Sequence, residues 1–130
     1  MSKRNVEIAL SAVDAWNRGD LEAWLACWDE RAEFHPLRAQ LEGGAYLGHD
    51  GLKRFLTDMT GEWDRVRFEI EETRDCGEQV VGMGRFLARG RASGVEIDVP
   101  LGVLARVRED KIVYLRLFSE PVEALEAGGA

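Results

Sequence analysis

Two periodicities divide the chain. Between Val6 and Trp16, apolar residues return at steps of three and four (Val6, Ala9, Leu10, Val13, Trp16), the spacing of one buried helix face. Ser2 stands where a cap for this helix belongs, and Asn17-Arg18-Gly19 closes it with a glycine in the C-terminal position. Asp20 caps a second, shorter helix with Glu22 in its first turn and with Leu21, Trp24, Leu25 and Trp28 on one stripe. After Asp29-Glu30-Arg31, the segment Ala32-Glu33-Phe34-His35 reads as a short strand stopped by Pro36. Residues 37–49, with Gly43, Gly44 and Gly48, read as a loop. Asp50 then caps a third helix that turns Leu52, Phe55, Leu56 and Met59 inward.

From Trp63 the period changes to two, with Val66, Phe68 and Ile70 alternating with Arg65, Arg67, Glu69 and Glu71. A turn at Asp75-Cys76-Gly77 leads to a strand over 79–91, Ser93-Gly94 leads to one over 95–108, and Glu109-Asp110 leads to a last one over 111–118. A short helix is expected after Pro121. Helices first and hairpin-linked strands afterwards predict an α+β fold, with helices packed on one face of an antiparallel sheet, in a single domain over 1–130. The last two strands are apolar on both parities: Val99, Leu101 and Val103 against Leu104, then Val113, Leu115 and Leu117 against Ile112, Tyr114 and Phe118. A strand apolar on both faces is buried on both. Helices cover only one face, so a homodimer through the outer sheet face is expected.

Composition sharpens this picture mainly by exclusion. A chain of 130 residues with 45% hydrophobic residues can bury a core without a metal or a disulfide. Four Trp, five Phe and two Tyr exclude intrinsic disorder, and no apolar run has the length of a membrane-spanning helix. A net charge of −7, with acids and bases interspersed, excludes nucleic-acid binding through phosphates. Cys27 and Cys76 form no CxxC, and the amphipathic N-terminus lacks the apolar core of a signal peptide, so a cytoplasmic protein with free thiols is expected.

Several catalytic signatures are missing. Gly82-Met83-Gly84 begins like a dinucleotide fingerprint, but Leu87 occupies the third glycine's place and the run lies within a strand. There is no Walker A loop, Ser93 sits in a turn without the glycines of a nucleophile elbow, and the two histidines lack metal-ligand spacing. Neither a metal nor a cofactor is expected. His35, between Phe34 and Pro36 at a strand end, has two readings: a general base facing a cavity, or a histidine at the sheet margin bonded to backbone or water. His49 is expected to be exposed. Trp16, Trp24 and Trp28 are either core or the wall of an apolar pocket. Arg116 shares a strand face with Tyr114 and Phe118. If that face is internal, the guanidinium is a buried cation that needs a carboxylate or an anionic ligand; if a bulge breaks the parity, it is ordinary surface.

Trp16-Asn17-Arg18-Gly19-Asp20-Leu21-Glu22-Ala23-Trp24 resembles the first helical hairpin of SnoaL-like proteins in the nuclear transport factor 2-like superfamily. The resemblance continues through Trp28 to Pro36, Tyr46 to Leu52, Arg91 to Gly94 and the closing strand from Lys111 to Phe118. It implies a cone, a strongly curved antiparallel sheet wrapped around three N-terminal helices, with a pocket at the open end and frequent homodimers. In ketosteroid isomerase-like members the proton-shuttling aspartate falls on His35, the oxyanion-hole tyrosine near Ala12 and the oxyanion-hole acid near Val103. Trp28, Leu56, Phe86, Val99, Leu101 and Phe118 fall on pocket-wall positions. The base position is therefore ionisable while both oxyanion donors, worth several kcal/mol of barrier in such a site, are replaced.

The resemblance implies a small-molecule pocket protein: an isomerase, cyclase or dehydratase acting on a hydrophobic carbonyl compound of polyketide or steroid type. His35 would be the base, Arg116 would hold the enolate, and Trp16, Trp24, Trp28, Phe86, Tyr114 and Phe118 would serve as walls. Asp14 or Asp98 reaches the cavity if the register differs by one. Two alternatives stand beside it: a ligand-binding module without turnover, and a dimeric interaction domain with a vestigial pocket.

Overall fold

The computed structural model describes residues 2–37 and 45–129, so the predicted loop glycines Gly43 and Gly44 lie outside the described residues. The elements are α1 (Ser2–Arg18), α2 (Leu21–Ala26), β1 (Trp28–His35), β2 (Tyr46–Leu47), α3 (Gly48–Glu62), β3 (Trp63–Cys76), β4 (Gln79–Gly90), β5 (Glu96–Arg108), β6 (Lys111–Phe118) and α4 (Pro121–Gly128). Six strands form one curved, unclosed sheet in the order β2-β1-β6-β5-β4-β3. The α+β architecture and the hairpin series agree with the periodicities of the sequence. The β1–β6 pair is parallel, with Phe34 opposite Leu115 and His35 opposite Arg116, which corrects the expectation of a wholly antiparallel sheet.

Asp20 caps α2 as expected, its carboxylate accepting the Ala23 N–H at 3.1 Å. That helix stops earlier than the tryptophan stripe suggested. Cys27 is its C-cap, and the Cys27 carbonyl accepts the Ile112 N–H at 2.8 Å, drawing the chain into the sheet, so Trp28 opens β1 instead of closing a helix. Helix α3 begins at Gly48 with Leu47 as N-cap, placing Asp50 in the first turn and not at the cap.

The inner sheet face packs Trp28, Phe34, Leu101, Ile112 and Leu117 against Ala12 and Ala15 of α1, Trp24 of α2, and Leu52 and Phe55 of α3. On the outer face α4 lays Ala124 onto Val81, Leu104 and Phe118. The two-faced apolar pattern thus has two causes within the chain. One is α4. The other is a register shift between Arg106 and Val107, where Tyr114 and Ile112 are the partners, which lets Ile112 join Leu115 and Leu117 on the inner side.

Strand β3 ends the sheet, so its outer backbone groups need partners. The end of α1 supplies them. Asn17 donates from Nδ2 to the Phe68 carbonyl at 2.8 Å and accepts the Phe68 N–H on Oδ1 at 3.0 Å. The Trp16 indole donates to the Val66 carbonyl at 3.2 Å.

Candidate functional site: an apolar cavity in the cone

Helix α1 faces the sheet with small side chains. Ala9, Ala12 and Val13 leave a space of about 50 Å³ between the helix and the inner face. Trp16, Trp24, Trp28, Phe34 and Phe55 close one side, and Phe68, Ile70, Val103, Leu115 and Leu117 of the sheet close the other. Ala9, Val13 and Ile70 are half-buried, whereas Trp24, Trp28 and Phe34 are buried, so the cavity runs inward from a rim between α1 and β3. The aromatic side is a chain of tilted and edge-on rings: Trp16 to Trp24 at 5.2 Å, Trp24 to Trp28 at 5.6 Å, Trp28 to Phe34 at 5.6 Å and Phe34 to Phe55 at 4.7 Å. Such contacts fix ring positions as well as burying area.

Among the described residues, none that lines the cavity carries an acid or a base. The polar side-chain atoms of these described lining residues are the indole nitrogens of the three tryptophans. That of Trp16 is engaged with Val66. That of Trp28 is buried and donates to no acceptor among the described residues. The Trp28 backbone is held by His49, whose Nε2–H donates to the Trp28 carbonyl at 2.9 Å. His49 is therefore half-buried, not exposed, and its tautomer is set by that carbonyl.

His35 and Arg116 do meet, but on the opposite face of the sheet. Phe34 points into the cavity, and its neighbour on an alternating strand points away from it. The His35 ring lies 5.2 Å from that of Tyr114, and its Nε2 is 2.8 Å from Glu33 Oε2. Arg116, opposite His35 in register, holds its guanidinium 4.9 Å from the centre of the Phe118 ring. Arg106 covers Tyr114 in the same way at 4.6 Å. Tyr114 and Phe118 consequently belong to the outer cluster under α4.

The other wall positions divide three ways. Trp16, Trp24, Trp28 and Val103 line the cavity. Leu56, Phe86 and Leu101 pack in the same inner core without lining it. Val99 is 38% exposed. Asp14 and Asp98 stay outside, in exposed ion pairs with Arg18 and Arg85. Sequence reasoning missed Phe34, Leu115 and Leu117 as lining residues, although strand parity carried the signal: each sits next to a residue proposed for the site. The small residues Ala9 and Val13 carried no such signal, because a cavity leaves no mark on the side chains that make room for it.

Among the described residues no three His, Cys, Asp or Glu side chains cluster as metal ligands, and no helix is long and apolar enough to cross a membrane. Cys27 and Cys76 are free thiols. Burial pushes the Cys27 thiol pKa up, against the opposing pull of the Lys111 ammonium.

Residues 9–115 match the family model of the SnoaL-like domain. No curated protein matches the sequence. Among solved structures, TerC co-crystallised with polyporic acid is 21% identical, with a TM-score of 0.81 over 98% of this chain and 99% of that one. A protein from Xanthomonas campestris pv. campestris described as a polyketide cyclase is 20% identical, with a TM-score of 0.79 over 98% of both chains. A protein of ketosteroid isomerase-like fold from Catenulispora acidiphila DSM 44928, in complex with trimethylamine, is 15% identical, with a TM-score of 0.77 over 95% of this chain and 92% of that one. At these identities the likeness is one of fold.

Proposed function

Because the chain belongs to the SnoaL-like domain family, we propose that it binds a small hydrophobic molecule inside its cone and that the cone itself performs no proton transfer. One observation carries this reading: among the described residues, the cavity is lined without a single ionisable side chain. The positions where the family resemblance sets oxyanion donors, Ala12 and Val103, are both on the lining, and both are apolar. Two proteins that share the fold are crystallised with small organic molecules, which supports a binding role. A volume of about 50 Å³ is well below the ~300–1,000 Å³ of pockets for drug-sized ligands, so a compact molecule suits it better than a steroid or a polyketide.

The intrinsic fluorescence of Trp16, Trp24 and Trp28 reports the test. Titration with small ketones and aromatics is expected to give a saturable change, weakened tenfold or more by Ala9→Phe, which fills the rim. The absence of a saturable response to every compound sinks the proposal.

Catalysis by His35 is the second reading, favoured by the Glu33 carboxylate at 2.8 Å and by Arg116 beside it. Its substrate would dock on the outer face. Turnover of cyclic ketones by the parent protein, with equal rates in His35→Ala, would exclude it. A homodimer belongs to the same proposal. It would use the outer sheet face beside α4, and sedimentation of a monomer at micromolar concentration would rule that out. The two free thiols suit the cytoplasm.

A further inference from the structure

The cavity under α1 is walled by hydrocarbon. Among the described residues no lining side chain accepts a hydrogen bond, because the indole nitrogens of Trp16, Trp24 and Trp28 can only donate. A buried water needs about two to four polar partners, and here both of its own O–H groups would face carbon. An ion would meet no counter-charge. The space therefore favours a neutral, apolar occupant over water.

Size sets a second limit. A dry apolar cavity of about 150 Å³ takes benzene, whereas this one has about 50 Å³, a share that corresponds to about two or three heavy atoms. Its walls are braced against widening. The Trp16 indole and the Asn17 amide tie the end of α1 to the backbone of Val66 and Phe68, and the rings of Trp16 and Phe68 meet at 5.6 Å. Val103 and Leu117 are register partners in the β5–β6 ladder, which holds the sheet side together. An occupant larger than the space must push packed side chains off their positions, and that strain is subtracted from its binding. Resting on the binding reading above, we infer that this is a gas-sized site. Its ligand class is a neutral, apolar molecule of about two or three heavy atoms, such as dioxygen or ethylene, entering at the half-buried rim of Ala9, Val13 and Ile70.

Xenon, ethylene, cyclopropane and benzene form a size series for NMR titration, read at the methyl groups of Val13, Ile70, Val103 and Leu117. Partition into an oil raises affinity about fourfold for each added methylene, which would put benzene far ahead. Here the order is expected to reverse, with ethylene and cyclopropane bound about tenfold or more tightly than benzene, and xenon shifting the same methyl groups. Val103→Ala widens the cavity and is expected to move the preference about tenfold toward benzene. Ala12→Val fills it and is expected to abolish the xenon response. The order in the parent protein stands as a readout even if a variant fails to fold. If benzene binds the parent more tightly than ethylene, or if Ala12→Val keeps the xenon response, the gas-sized site is overturned while the binding reading survives. If none of the four probes moves these methyl groups, the inference falls, and the fluorescence titration with ketones then decides the binding reading separately.

Discussion

Gly84 shows how a single missing side chain can be structural where it looked chemical. It stands in β4 opposite Ile70, beside the register shift between Ile70 and Glu72, and a Cβ there would lie 1.8 Å from the Glu69 carbonyl oxygen. Gly84 thus reflects a close approach of two strands, whereas a Cβ at Gly82 would meet only side chains, the nearest Ile70 at 3.4 Å. Gly84→Ala is expected to cost about 3 kcal/mol or more, read as a lowered midpoint in urea denaturation. Cys27 offers a second measurement at this scale. Burial favours its thiol form and the Lys111 ammonium favours the thiolate, so Lys111→Met removes the only opposing influence and raises the pKa further. Alkylation of Cys27 at pH 8, followed by mass spectrometry, is expected to be slower in that variant than in the parent; faster alkylation would contradict the assignment.

At the scale of elements, the sequence spoke clearly wherever one rule governed a segment. The three-and-four spacing placed α1, and the alternation over 65–71 placed the first half of β3, which runs on to Cys76 through the expected start of the turn. It spoke less clearly where two rules competed. Trp28 continued a helical stripe, yet backbone bonding at Cys27 put it in a strand. The hairpin expected at Glu109 and Asp110 does form, both residues at positive φ, without the glycine that usually marks one. Asn17 read as part of a helix stop, while its larger role, closing the edge of β3, depends on a strand 51 residues away. Asn17→Ala is expected to lose about 1–3 kcal/mol in denaturant and to promote association by freeing the Phe68 backbone, the latter measured by size-exclusion chromatography.

For the molecule as a whole, fold and site were legible to different depths. The order of elements, the cone and the family followed from patterns spread over the entire chain, which tolerate a slip of one residue. The site did not, because on a strand a slip of one residue exchanges the two faces. His35 and Arg116 were read as base and anion holder of one pocket and are opposite each other in register, yet the cavity lies behind Phe34 and Leu115, one position away on each strand. The volume of the cavity was beyond any pattern, since it depends on how closely α1 approaches the sheet.

That approach is unevenly secured. The C-terminal end of α1 is tied to β3 by three hydrogen bonds through Trp16 and Asn17, whereas at its N-terminal end the described residues hold it through the exposed contacts of Arg4 with Asp110 and Asn5 with the Gly77 carbonyl and the packing of Ile8 on the core. Exposed contacts of this kind hold weakly. The helix is thus most firmly held at its C-terminal end, with Val13 on the secured half and Ala9 on the looser one. Deuterium uptake should therefore be fast from the start of α1 to about Ala9 and slow from Ala12 to Arg18, and a bound molecule should slow the first half more than the second. The traffic of ligands would then be timed by the fraying of one helix end, and uniform uptake along α1 would refute it.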